Sequence, residues 1–274
     1  MNSPNITKKP MLEKQITHPI NHVSEGEGPT VIFVHGASGS IYNWGKNIPE
    51  ISRAGYRTFA VDLLGHGESY KPEELEAYHI EEVYAHLESW IEEHNIAKPI
   101  IFVGHSMGAH LIMVYALRNP GSVRKLVVVD PLYTTDQGRP WVKLLGKHHE
   151  KSIKMMQAAP RNILNPFRRW KRNVSKTLTA MKIRMVAADI DRMHPNILYT
   201  TSSVWDLRPQ LSALNIETLV MWGKKDRTLL PDSFPQLVEK LPNAESLEFT
   251  NCGHTPHIDE PERFNKRVIK FLSK

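Results

Sequence analysis

Three side chains that could cooperate in nucleophilic catalysis follow apolar stretches of this sequence: Ser106, Asp226 and His254. A serine hydroxyl is a weak nucleophile at neutral pH. It becomes reactive when a base lies within hydrogen-bond reach and an acid orients that base. The sequence offers one residue of each type, and they can cooperate if the surrounding elements bring the three together.

The segment Gly104-His105-Ser106-Met107-Gly108 carries the candidate nucleophile. The apolar run Ile100–Val103 before it predicts a buried strand, and residues 109–117 after it predict a helix that ends at Asn119-Pro120. Gly-x-Ser-x-Gly on a strand-to-helix turn is the pattern of a nucleophile elbow. Such a turn exposes the serine hydroxyl at a helix N-terminus, where free N–H groups favour developing negative charge.

The candidate acid and base follow the last two predicted strands. Asp226 comes just after an apolar run at residues 217–222, and His254 comes just after a predicted strand at residues 245–250. Parallel strands present their carboxyl ends at one edge of a sheet, so both loops are expected near Ser106. The chain order Ser, Asp, His is also the order found with such an elbow.

The elements that would position these residues alternate between strands and helices. Residues 11–23 are weakly strand-like. The clearer predicted strands are 30–34, 56–61, 100–103, 123–129, 217–222 and 245–250, and the predicted helices are 42–54, 75–95, 109–117, 232–240 and 260–272. This alternation predicts an α/β fold with a mostly parallel, doubly wound sheet.

Residues 131–204 interrupt the alternation with helical periodicity and no strong strand. We therefore predict a core domain of residues 1–130 and 205–274, with a helical cap, residues 131–204, inserted after the sixth strand. Between Arg139 and Arg184 there are thirteen Lys or Arg residues and one acid, Glu150. Solvated helix faces account for most of these charges. The functional interpretation is that the charges attract an anionic or amphiphilic substrate. Contact of the cap with a membrane surface is a lesser alternative.

Composition narrows the class of protein. The chain has 274 residues, 41% of them hydrophobic, a formal net charge of +6 and one cysteine, Cys252. Residues 1–30 lack a secretory h-region, and no apolar stretch approaches the roughly 18 residues that span a bilayer, so we expect a cytoplasmic protein. No phosphate loop, dinucleotide fingerprint, metal cluster or nucleic-acid module is evident. We expect no cofactor, no metal and no nucleic-acid partner, and the oligomeric state stays open.

The chain resembles the α/β-hydrolase fold superfamily, and within it the serine esterase, lactonase and C–C hydrolase group. The shared motifs are His35-Gly36 after a strand, Asp62–Ser69, the elbow, Gly223-x-x-Asp226 and Gly253-His254. They span nearly the whole chain, and they are specific for the fold and poorly specific for the substrate.

The resemblance implies a role for each matching position. Ser106 would be the nucleophile, His254 the general base and acid, and Asp226 the orienting carboxylate. The backbone N–H groups of Ala37 and Met107 would form the oxyanion hole. Some members of the fold place the acid at the strand end that Asp130 occupies here. We favour Asp226, because Gly-x-x-Asp after the penultimate strand is the commoner arrangement, and we expect Asp130 to cap the entry into the insertion.

The leading functional hypothesis is hydrolysis of an ester, lactone or related activated carbonyl through an acyl-enzyme. The same residues also serve C–C bond hydrolysis, lyase or cofactor-free oxygenase chemistry in this fold, and a non-catalytic small-molecule receptor is a further alternative. Five apolar residues are candidates to line the substrate pocket, with packing between cap and core as the alternative role: Trp141, Leu145, Met181, Met185 and Trp205. Three histidines near the motifs have expected structural roles: His35 braces the oxyanion loop, His66 organises its own loop, and His105 packs under the elbow.

Overall fold

A computed structural model describes residues 18–158, 185 and 187–274 of the chain. The strands in these ranges are β1 (His22–Glu25), β2 (Thr30–Val34), β3 (Arg57–Val61), β4 (Ile100–His105), β5 (Val123–Val129), β6 (Glu217–Gly223) and β7 (Ala244–Phe249). They form one seven-stranded sheet in the order β1-β3-β2-β4-β5-β6-β7. Strand β1 pairs antiparallel with β3, and every other pair is parallel, as the alternation predicted.

The central strands are predominantly apolar because both faces of the sheet are covered. In β2, Ile32 and Val34 belong to one core cluster, whereas Val31 and Phe33 belong to the other. The same alternation continues in β4 and β5, whose residues are almost all buried. A strand covered on both sides has no polar face, so its sequence is a continuous hydrophobic run.

The helices in the described ranges are α1 (Ile48–Arg53), α2 (Ile80–Glu93), α3 (Met107–Arg118), α4 (Pro140–Lys147), α5 (His149–Ala158), α6 (Ile197–Ser202), α7 (Ser233–Lys240), α8 (Pro256–Asp259) and α9 (Pro261–Leu272). Buried side chains of α1 and α9 contribute to the cluster that contains Phe33, and those of α2, α3 and α7 contribute to the cluster that contains Ile32. Helices on both faces confirm the doubly wound architecture.

Some predicted boundaries were wrong. The helix expected at residues 42–54 is split into a 3₁₀ turn, Ile41–Trp44, and α1. Pro49 lies in the first turn of α1, where its missing N–H costs nothing, whereas a continuous helix would have placed it in the interior. Similarly, the helix expected at 75–95 begins at Ile80, where the His79 side chain caps it, and a 3₁₀ turn precedes it.

The longer regular elements described in the insertion between β5 and β6 are helices, joined by loops. Helices α4, α5 and α6 belong to it, and residues 187–192 are also helical. Five strands precede it in the described ranges, so the expectation that it follows the sixth strand was wrong. In the part of the chain that the structure describes, every helix is too short or too polar to cross a membrane.

Candidate active site

Ser106 occupies the sharp turn between β4 and α3. Its backbone has φ 51° and ψ −113°, a left-handed conformation that is strained for any residue other than glycine. A hydrogen bond from the Ser106 N–H to the Val129 carbonyl, 2.9 Å, holds it in place. The turn also requires Gly108, because a Cβ there would lie 2.3 Å from the Val34 carbonyl oxygen. The structure therefore has the elbow geometry that the pentapeptide predicted.

Asp226 and His254 meet at the same edge of the sheet. His254 Nδ1 donates to Asp226 Oδ2 at 2.7 Å, and Asp226 Oδ1 accepts from the N–H groups of Thr228 and Leu229. Burial raises the pKa of the Asp226 carboxyl, but the hydrogen bond and charge of His254 and the two N–H groups outweigh burial and hold that pKa below its usual value. Asp226 is therefore an ionised acceptor that fixes the His254 ring with Nε2 free.

The loops that carry these two residues interlock. Lys225 N–H donates to the Cys252 carbonyl at 2.9 Å, which ties the Asp226 loop to the His254 loop. A Cβ on Gly223 would lie 1.9 Å from the Gly253 carbonyl oxygen, so only glycine permits this approach. The Gly223-x-x-Asp226 and Gly253-His254 motifs are thus the two sides of one contact.

His105 joins the elbow to the His254 loop. Its Nε2 lies 2.7 Å from the His254 carbonyl oxygen, and since a carbonyl only accepts, Nε2 is the donor. Burial lowers the pKa of His105 to about 3, which keeps the ring neutral. The two histidine rings lie 4.8 Å apart between centroids. Within the described chain the Ser106 hydroxyl makes no hydrogen bond, so the structure brings Ser106 and His254 to one edge without closing a contact between them.

His35 orients the peptide that carries the predicted oxyanion donor of Ala37. The Gly36 carbonyl accepts from His35 Nδ1 at 2.7 Å and from the Gly39 N–H at 3.0 Å, and His35 Nε2 accepts from the Leu63 N–H at 3.0 Å. The N–H of a trans peptide points away from its carbonyl, so anchoring Gly36 O directs the Ala37 N–H to the opposite side. Burial and the neighbouring His66 ring lower the pKa of His35 to about 3, so it stays neutral.

Both predicted oxyanion donors are available. Across the described residues neither the Ala37 N–H nor the Met107 N–H donates to a protein acceptor, and Met107 is the first residue of α3, whose N–H has no partner within the helix. The oxyanion loop also touches the elbow, because a Cβ on Gly36 would lie 3.1 Å from Ser106 Cβ. This arrangement can stabilise a negative oxygen next to the Ser106 hydroxyl.

Replacing His35 with Ala removes one of the two donors to the Gly36 carbonyl. We expect kcat for ester hydrolysis to fall about 10- to 100-fold, with a smaller change in KM, because the Ala37 N–H loses its fixed orientation while substrate contacts remain. Steady-state kinetics beside His148→Ala, an exposed histidine of the insertion, provide the control. Equal kcat values for the two variants would contradict this role of His35.

A buried contact between the insertion and the oxyanion loop was not predicted. Asp189 accepts from Ser40 Oγ at 2.6 Å, from Asn43 Nδ2 at 2.9 Å and from Arg192 at 2.7 Å. Ser40 follows the oxyanion loop directly, so this carboxylate ties the insertion to the segment that carries Ala37. Ser40 and Asn43 are about 150 positions from Asp189, and no local pattern of the sequence links them to it.

The predicted pocket residues are scattered. Trp141 is 53% exposed, and its Nε1 donates to the Arg227 carbonyl at 3.0 Å, beside the Asp226 loop. Leu145 and Met185 are half-buried. Trp205 stacks on the His110 ring at 5.6 Å, a contact that fits the alternative role of packing against the core. Met181 lies outside the described residues.

One cluster has the composition of a metal site. Asp130, Asp226 and His254 each offer a ligand atom, and these atoms lie within 4.8 Å of one another. However, His254 Nδ1 already donates to Asp226, so it carries a proton rather than a lone pair for a metal. The absence of a metal or cofactor from the reaction stays a prediction.

The family model and the similar proteins described next are all hydrolases. A family model described as alpha/beta hydrolase fold matches residues 29–261. A 2-hydroxy-6-oxononadienedioate/2-hydroxy-6-oxononatrienedioate hydrolase of Paraburkholderia xenovorans is 27% identical over 93% of this chain and 90% of that protein. A 2-hydroxy-6-oxo-6-phenylhexa-2,4-dienoate hydrolase of Burkholderia cepacia is 26% identical over 95% of this chain and 94% of that protein. A thermophilic esterase of Thermogutta terrifontis, 18% identical with a TM-score of 0.78 over 93% of both chains, shares the fold.

Proposed function

Because this chain belongs to the alpha/beta hydrolase family, we propose that it hydrolyses an ester, lactone or related activated carbonyl through an acyl-enzyme on Ser106. The observation that carries this proposal is the hydrogen bond from His254 to a buried, ionised Asp226 at the edge where the strained Ser106 is held. A nucleophile, a base and an orienting acid on one rim are what acyl transfer requires.

The proposed reaction has two stages, acylation of Ser106 and hydrolysis of the acyl-enzyme, and the same groups act in both. His254 Nε2 takes the Ser106 proton as Oγ attacks the substrate carbonyl, while Asp226 holds the Nδ1–H and stabilises the imidazolium. The Ala37 and Met107 N–H groups bind the oxyanion, and each such donor is worth on the order of 3 kcal/mol of barrier. His254 then protonates the leaving group and activates a water that releases the acid.

A second candidate is hydrolysis of a C–C bond. It is favoured by the two relatives described above, which are hydrolases of dienedioate and phenylhexadienoate compounds. Both of those substrates carry a carboxylate, and the excess of Lys and Arg between Arg139 and Arg184 favours an anionic substrate for this chain too. A small-molecule substrate and a cytoplasmic location stay predictions.

The test compares two substrates on wild type and Ser106→Ala. p-Nitrophenyl acetate reports ester hydrolysis, and 2-hydroxy-6-oxo-6-phenylhexa-2,4-dienoate reports C–C hydrolysis. We expect ester turnover with an initial burst and an acetylated enzyme in quenched samples, both lost in Ser106→Ala. Turnover of the dienoate alone would favour the second candidate, and turnover of neither by wild type, across a panel of ester chain lengths and lactones, would contradict the proposal.

A further inference from the structure

Asp130 lies in a position that neither capping nor packing explains. It follows β5, is fully buried, and has φ 42°, a strained conformation for a residue with a side chain. Its Oδ1 accepts from the Gly223 N–H at 3.0 Å. Its Oδ2 is buried without a donor among the described residues. The expectation that Asp130 caps the entry into the insertion was therefore wrong, because the side chain joins the end of β5 to the end of β6.

An oxygen of the buried Asp130 carboxyl lies within 4.8 Å of an oxygen of the buried Asp226 carboxyl. Two ionised carboxylates buried this close together repel each other, and a proton on one of them removes the repulsion and lets it donate to the other. Asp226 accepts from His254, Thr228 and Leu229, and three donors favour its anionic form. Asp130 has one donor, so the proton belongs on Asp130.

We propose that Asp130 is a positioning residue of the catalytic assembly, a neutral carboxylic acid that donates a hydrogen bond to Asp226. This proposal rests on the function proposed above for the site. This bond gives the acid a fourth donor and holds it against His254 without adding a second negative charge. The buried pair then carries one charge and one proton, which matches the single imidazolium that forms on His254 during the reaction.

The surroundings of Asp130 favour the neutral form. Burial raises its pKa well above the usual value, and the charge of Asp226 and, more weakly, that of Asp259 act in the same direction. Cys252, another titratable neighbour, has its pKa raised to about 12 by burial and stays neutral. His254 also faces this cluster, and its Nδ1–H already donates to Asp226.

The test uses Asp130→Asn and Asp130→Ala. An Asn amide can donate the same hydrogen bond without a charge change, so we expect Asp130→Asn to stay within about 3-fold of wild-type kcat/KM. The acidic limb of its pH–rate profile should not move. Asp130→Ala loses the donor, and we expect at least a 10-fold fall in kcat. If the acidic limb of the pH–rate profile of Asp130→Asn moved to lower pH by about one unit, the substitution would have removed a negative charge. Asp130 would then be ionised in the wild type, and the proposal would be overturned. Wild-type kinetics in Asp130→Ala would overturn it too.

A measurement without substrate separates this proposal from the function it rests on. The infrared difference spectrum of wild type minus Asp130→Asn at neutral pH should contain the C=O stretch of a protonated carboxyl. A difference spectrum with only carboxylate bands would overturn the proposal. If wild type turned over no ester or dienoate, the proposed function would fail, and the infrared band would still decide the state of Asp130.

Discussion

Replacing Ser106 with Ala is expected to lower kcat/KM for ester hydrolysis by at least about 10⁴-fold, because the acyl-enzyme can no longer form. The fold should remain intact, since only the hydroxyl oxygen is lost and the strained backbone is fixed by the neighbouring strands and by Gly108. Initial rates and thermal unfolding of the variant provide the measurement.

The matched control is Ser273→Ala, which changes a serine after the last helix whose hydroxyl donates to the Lys270 carbonyl. Its kcat/KM should equal that of wild type. If Ser106→Ala kept more than about a tenth of the wild-type activity on esters, a water molecule rather than Ser106 would be the nucleophile, and the acyl-enzyme mechanism would be refuted.

Replacing Asp226 with Asn is expected to lower kcat by roughly 10⁴-fold with little change in KM. The Asn amide can donate to His254 Nδ1, which moves the ring proton to Nε2 and leaves no lone pair facing Ser106. The Thr228 and Leu229 N–H groups, which donate to Asp226 Oδ1, can donate to the Asn side-chain oxygen instead, so the loop should keep its conformation.

Asp232→Asn is the control for this second variant, because Asp232 is exposed and lies on the same segment between β6 and α7. We expect it to match wild type. Comparison with Asp130→Asn then ranks the two buried acids. A larger loss in Asp130→Asn than in Asp226→Asn would assign the orienting role to Asp130 instead.

The sequence predicted what depends on local pattern. The apolar runs that became β2, β4, β5 and β6 were recognisable because a strand covered on both faces has no polar positions. The elbow was recognisable because few residues other than glycine tolerate such a turn at Gly104 and Gly108. Asp226 and His254 were recognisable because each follows a strand directly, and the structure brings them into a hydrogen bond.

The sequence did not predict contacts that depend on folding. The His105 donation to the His254 carbonyl, the Asp189 contact with Ser40, and the hydrogen bond from the Gly223 N–H to Asp130 each join residues about a hundred or more positions apart. Their residue types are ordinary, and only the sheet order and the placement of the insertion make them neighbours. These contacts determine how precisely the reactive groups are held, so they are the part of the site for which coordinates were needed.

The most direct test of the account is the site of covalent reaction with a fluorophosphonate. The protein is incubated briefly with the probe, and the modified peptide is identified by mass spectrometry in wild type and in His254→Gln. The account predicts one adduct, on Ser106, with a labelling rate at least about 100-fold lower in His254→Gln. An adduct on another residue, or labelling of Ser106 at the same rate in both proteins, would contradict it.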